Sequence, residues 1–317
     1  MKSIDRSRLW GALPAARFVV AGICASSCAS SSSTAGAGGS MSGAGGATTG
    51  SGGAATASGG RSGSGGATGS GGMTASGGST GSGGSAVGGG SGNFSFFVTS
   101  VAAMRKLSGS TDGFGGDLRY GQADGLAGAD KICHDIAEMA VPGSGSKTWH
   151  AFLSTVAGPV HAKDRVGAGP WYDAKGRLVA STLDQLLMER PGDADAAIKS
   201  DLPNELGVPN HTDSAPGCTG SACPDNHDTL TGTGTTGMLY KADMAATCND
   251  WTNSAASGKP WCGHSWPRQG SGVNWMSALA EGGCAAGVNL TEMGGPNAPN
   301  VGSGGGYGGI YCFALTP

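Results

Sequence analysis

Between Gly121 and Ala140 the apolar residues Leu126, Ala129, Ile132, Cys133, Ile136, Ala137 and Ala140 recur at intervals of three and four. That spacing gathers them on one face of a helix and leaves Asp130, Lys131, Asp135 and Glu138 on the other. It predicts an amphipathic helix with a thiol on its buried side. Near the C-terminus Ile310-Tyr-Cys-Phe-Ala314 reads as a strand, and a cysteine in each suggests a bridge from the first helix to the last strand.

Other stretches are punctuated as clearly. Phe94-Ser-Phe-Phe-Val-Thr99 is apolar, aromatic and β-branched, which predicts the first strand. Lys147–Ser154 contributes Trp149, Phe152 and Leu153 to a core, and Trp171 and Trp275 are expected there too. Gly169–Ala180 places two apolar runs around Asp173-Ala-Lys-Gly176, the pattern of a hairpin. Ser181–Met188 predicts a short helix with Ser181 as N-cap and Asp184 at capping-box spacing, stopped by Pro191-Gly192. Three segments rich in Gly, Pro, Asn and Asp, at 203–237, 253–274 and 294–309, predict long irregular loops in the C-terminal half.

Composition divides the chain. Of 317 residues 63 are glycine, and residues 29–92 are almost wholly Gly, Ser, Ala and Thr. Such a stretch buries too little apolar surface to offset its ordering entropy, so 28–92 is expected to be a disordered tether reaching roughly 45 Å. Residues 93–317 hold every His and all the Trp but Trp10, enough for one cored domain. The net charge of −3 supplies no basic patch, which argues against nucleic acid as a partner.

The first 27 residues read as an export signal: Lys2, Arg6, Arg8 and Arg17 precede an apolar run too short to span a bilayer. Ala25-Ser-Ser-Cys28 resembles the cleavage box of bacterial lipoproteins, with Ala25 where that box has Leu. This resemblance implies a lipid on Cys28, attachment to the membrane through that anchor, and an extracytoplasmic location at the outer membrane or cell surface. An ordinary secretory signal would also export the domain. Nine cysteines, less Cys24 and Cys28, leave seven in an oxidising compartment, so at most three bridges form.

In order along 94–317 stand Phe97-Val-Thr-Ser100, Gly125-Leu-Ala-Gly-Ala-Asp-Lys-Ile-Cys133, Thr148-Trp-His-Ala-Phe-Leu-Ser154, Thr231-Gly232 leading to Gly237, Cys248-Asn-Asp-Trp251 and Tyr311-Cys-Phe313. This ordered set resembles the endostatin-like branch of the C-type-lectin-like fold, and within it a family of bacterial lipoproteins of unknown function. The family has Trp before Thr-Gly where Leu230 stands here. The resemblance implies an α+β domain with short helices, a mixed or antiparallel sheet and long loops. It also implies bridges Cys133–Cys312 and Cys248–Cys284, the first closing a loop long enough to contribute roughly 4–5 kcal/mol. Cys218–Cys223 is the simplest remaining pair by proximity, leaving Cys262 free; Cys262 pairing into the 218–223 loop is the alternative.

No Glu-Pro-Asn or Gln-Pro-Asp motif and no Trp-Asn-Asp triplet of sugar-binding C-type lectins occurs. No cofactor is therefore expected, with calcium and zinc left open. Asp225, His227 and Asp228 could ligate a metal with Asp213 or His211, but polar residues in a loop are more simply read as solvated. His134 is expected at the helix surface. Trp261, His264, Trp266 and Arg268 combine aromatic area with hydrogen-bonding heads and are the candidate ligand-binding set. The expected function is a non-catalytic recognition or adhesion module taking a protein or glycan. The alternatives are a structural envelope protein or an extracytoplasmic enzyme. For the enzyme, Arg268-Gln-Gly-Ser-Gly…Trp275 and Ile310-Tyr-Cys312 resemble segments of formylglycine-generating enzymes, without their paired active-site cysteines. No Ser-His-Asp order, HExxH or paired carboxylates accompanies them.

Overall fold

The computed structural model describes residues 92–215, 217–219, 222–267, 272–291 and 298–316. The export signal, Cys28, the tether and Arg268 lie outside the described residues.

The structure is mixed α+β. Phe96–Val98 forms β1, Val101–Ser108 α1, Gly125–Ala140 α2, Trp149–Ala151 β2, Trp171–Tyr172 β3, Leu178–Ala180 β4 and Leu183–Leu186 α3. Asp228–Leu230 forms β5, Trp261–His264 β6, Leu279–Ala280 β7 and Gly306–Ala314 β8. The main sheet runs β1-β8-β5-β6-β7, with β2 also on β8, and β3 and β4 make the expected hairpin.

β8 is the axis. Its nine residues are all buried, and it pairs antiparallel with β1 and β2 through its C-terminal half and parallel with β5 through its N-terminal half. A strand covered on both faces must be apolar in both parities. Ile310, Cys312 and Ala314 accordingly enter a core with α1 and α2, while Tyr311 and Phe313 enter a second core with Phe152, Trp171 and Trp275. β1 alternates the same way, Phe97 joining the first core and Phe96 and Val98 the second.

The α2 helix begins at Asp124, whose side chain accepts from Ala127 N–H at 2.8 Å. Ala129, Ile132, Cys133, Ile136 and Ala137 are buried as the periodicity requires. Glycine at 128 is a packing requirement, because a Cβ there would stand 2.1 Å from the Leu118 carbonyl oxygen. Asp130 departs from the expected solvent face: it is half-buried, takes Arg165 Nη2 on both oxygens at 2.8 and 2.7 Å, and accepts from Ala151 N–H. It thereby joins α2 to β2.

Other expectations are revised. α2 is the second helix, since Val101–Ser108 forms α1, capped by Ser100, whose hydroxyl and N–H donate to the buried Glu205 carboxylate. α3 is capped by Thr182 accepting from Gln185 N–H, while Ser181 donates to Asp193. The supposed loops at 203–237, 253–274 and 294–309 hold β5, β6 and the start of β8. At Cys248–Trp251 four successive residues have φ of 47, 56, 55 and 64°, a left-handed turn that costs L-residues roughly 1–2 kcal/mol each. Its compensation is dense: Asp250 accepts from Val156 and Ala157 N–H, Trp251 Nε1 donates to Ser154 O, and Cys248 is bridged.

Among the described residues three disulfides are present, Cys133–Cys312, Cys248–Cys284 and Cys218–Cys223, and Cys262 is free and buried. This pattern agrees with an oxidising, extracytoplasmic compartment. No described helix is long and apolar enough to cross a membrane.

Loop closure ranks the bridges. Removing Cys133–Cys312, which spans 179 positions, as the double Ser variant should lower unfolding free energy by roughly 2–5 kcal/mol in denaturant titration. Removing Cys218–Cys223, which spans 5, should shift the midpoint far less.

Candidate functional site

The Thr-rich run after Asp228 contains a strand in the middle of the sheet rather than a solvated loop. β5 lies between β6 and β8, so its side chains stand between covered neighbours. Asp228 pairs across to His264 on β6, which puts the two side chains on one face as direct cross-strand partners. His227 precedes Asp228, and its N–H donates to Gly305 O at 2.8 Å. His227, Asp228 and His264 each have side chains with 0% exposure.

Glycines permit this closeness. A Cβ on Gly304 would stand 2.3 Å from Asp228 Oδ2, and one on Gly305 would stand 2.7 Å from His227 Cε1. The Gly-rich run before β8 thus covers Asp228 and His227 at backbone distance. Glu281, just past β7, is also fully buried, its Oε2 accepting from the Ser303 hydroxyl at 2.6 Å and Gly304 N–H at 2.8 Å.

The hydrogen-bond pattern sets the proton positions. His227 Nδ1 is 2.9 Å from Asp225 O, and His264 Nδ1 is 2.9 Å from Gly272 O. A carbonyl only accepts, so each Nδ1 carries the proton and each neutral ring keeps its lone pair on Nε2. Those nitrogens face Asp228 Oδ1 at 3.6 Å from His227 and 3.1 Å from His264. The contacts lack hydrogen-bond geometry: both Nε2 atoms, both Asp228 oxygens and Glu281 Oε1 are buried without a hydrogen-bond partner.

Burial holds the His227 imidazole below its usual range despite the nearby Asp228 charge. For Asp228 burial pushes upward, while a proton on the His264 or His227 imidazole and a hydrogen bond from Glu281 act the other way and leave the carboxyl lowered. Burial and Asp228 push Glu281 well up, and burial with Glu281 and Asp228 pushes the Cys262 thiol well up. Around this cluster Arg190 donates to the carbonyls of His264 and Ser265 at 2.6 and 2.7 Å, bracing the end of β6 from behind.

The sequence candidates are sorted by this geometry. His227 and Asp228 are brought together with His264, which faces the interior and not an external ligand. That corrects its assignment to a surface binding set. Asp225 contributes its carbonyl to His227, and its Oδ1 is 3.5 Å from His227 Nδ1. His211 does not join: its ring binds Asp201 and stacks on Trp266 at 4.5 Å and 11°. Asp213 lies instead beside Glu205 and Tyr307. His134 is exposed on α2, and Trp149, Trp171 and Trp275 are core residues. Glu281 was not singled out in the sequence, where an isolated Ala-Glu-Gly carries no signal for burial.

On the surface, Trp261 is half-buried and stacks flat on Tyr240, centroids 3.8 Å apart and planes 5° apart, with Nε1 donating to Ser277 Oγ. Met238, Tyr240 and Met244 are exposed on the same segment. Trp266 belongs to a different stack, the one with His211. The two tryptophans therefore do not share a single sandwich.

Compared with known families and with curated proteins, the chain matches no family model and no curated sequence.

A pH dependence follows from Asp213. Burial, then the neighbouring Glu205 charge, pushes its carboxyl from 3.8 to about 6. The folded state thus binds this proton more tightly than the unfolded state, so the stability it contributes is present below 3.8 and lost as pH rises through about 6. Asp213→Asn should leave the melting temperature little changed near the acid end and raise it above wild type at neutral pH, read by paired thermal melts across that window.

Proposed function

We propose that this protein is an envelope-anchored lipoprotein that displays a C-type-lectin-like recognition domain on a flexible stalk and engages a protein or glycan through an aromatic surface. The observation carrying the reading is the Tyr240–Trp261 stack, flanked by exposed Met238 and Met244. Aromatic and methionine side chains gathered at a surface give large, adaptable contact area, and such patches mark interaction sites. Lys241 stands 5.7 Å over the Tyr240 ring and pairs with Asp243, adding a charged rim to an apolar centre.

The scaffold supports the same reading. Helix, sheet and three bridges hold the irregular segments on a rigid base, the arrangement in which loops carry recognition. The antiparallel attachment of β1 and β2 to the last strand, with that strand bridged to the principal helix, agrees with the endostatin-like expectation. The enzyme reading lacks its chemistry: Cys312 is bridged to Cys133, and Cys262, the free cysteine among described residues, is buried with its thiol held protonated.

Two measurements test the proposal. Cys28→Ser should move the mature protein from membrane to soluble fraction with its domain folded; membrane retention of that variant would refute the anchor. On glycan and protein arrays, Tyr240→Ala or Trp261→Ala should weaken a captured ligand by more than about 1 kcal/mol with little change in melting temperature. Lys131→Ala on the opposite scaffold should not. Equal binding by all three variants would refute the aromatic surface.

A further inference from the structure

The cluster inside the sheet poses a problem that surface recognition does not use. Two imidazole lone pairs and the Asp228 carboxylate face one another, and among the described residues Glu281, held protonated, is the neighbour that shares a proton with Asp228. Three acceptors facing one another in a dry interior repel, and a buried carboxylate so sparsely compensated is costly to place there. A cation at their centre removes both penalties.

The geometry matches one. His227, Asp228 and His264 each offer a ligand atom within 4.8 Å of the others, and the two Nε2 atoms stand 3.6 and 3.1 Å from Asp228 Oδ1. Ligand atoms about 2.0–2.1 Å from zinc at tetrahedral angles stand roughly 3.3 Å apart, between those two values. Each ring also donates its other N–H to a backbone carbonyl, the arrangement that fixes tautomer and orientation in metal-binding histidines. Two nitrogens and one oxygen suit zinc or a neighbouring first-row ion; calcium takes six to eight oxygens.

We propose that His227, Asp228 and His264 bind a first-row divalent cation of the zinc class as a closed structural centre. It is closed because all three side chains are fully buried, Asp228 and His227 directly against Gly304 and Gly305. Glu281, whose carboxyl meets Asp228 and is positioned through Oε2, can supply a further oxygen once its proton is displaced. The ion would clamp β5 to β6 and to the glycine run that opens β8, where short strands leave few ladder hydrogen bonds. This inference is independent of the recognition surface.

The full-length chain, exported and oxidised, is stripped with a chelator and titrated with zinc or cobalt(II). We expect one ion per chain, a raised melting temperature on loading, and visible cobalt absorption of a tetrahedral nitrogen–oxygen site. Asp228→Asn should weaken binding by more than about 10-fold, and the double variant His227→Gln/His264→Gln should abolish it. Should the double variant fail to fold, as judged by disulfide mapping, the wild-type chain decides: equal melting temperatures with and without zinc, together with no metal uptake, overturn the proposal. Undiminished binding in a folded double variant, or a thiolate-to-cobalt band implicating Cys262, overturns the ligand set.

Discussion

Everything in this domain depends on burying one strand on both faces. β8 is flanked by β1 on one edge and by β5 and β2 in succession on the other, so its backbone is satisfied along its length. Its side chains then divide two cores between them, with Cys312 bonded to α2 on one face and Tyr311 and Phe313 packed among aromatics on the other. A bridge from the C-terminal half of that strand to the centre of the principal helix closes the longest loop of the three disulfides.

The other elements are short, several of only two to four residues, and so take their stability from side-chain contacts more than from ladders. This explains the density of specific polar ties. Asp130 joins α2 to β2 through Arg165, Glu205 holds the Ser100 cap of α1, Asp250 secures a left-handed turn, and Arg190 braces the end of β6. Each of these charges has partners that offset its desolvation. Asp213 and the Asp228 cluster depart from that rule, and the convergence of polar groups around Asp228 inside the sheet is where the structure points beyond packing.

Recognition and cation binding would occupy different depths of one region. The Tyr240–Trp261 stack begins at the first residue of β6, and His264 ends the same strand. An ion gripping the buried end would hold the strand whose other end presents the aromatic surface, so rigidity supplied inside would serve contact area outside.

The amphipathic helix, the hairpin and the core tryptophans were legible because each is local: periods of 3.6 or 2 and turn residues write them into adjacent positions. Cysteine content and the signal-like N-terminus predicted an oxidising address, and the resemblance carried by the ordered motifs implied two of the three bridges. What adjacent residues do not encode is depth. His227 and Asp228 sit among Pro, Asn, Asp and Gly, a composition that reads as a solvated loop, and only pairing with β6 and β8 puts them in the middle of a sheet. His264 likewise looks like part of a surface set beside two tryptophans, yet alternation along β6 turns it inward across from Asp228. Their meeting is a matter of register between strands 36 positions apart, and of glycines at 304 and 305 that let a backbone lie where a side chain would collide. The sequence by itself determined the local elements and predicted an oxidising compartment, since those follow from neighbouring residues and composition. Only the tertiary structure decided which polar residues are sealed from water, because burial is a property of what the rest of the chain lays over them.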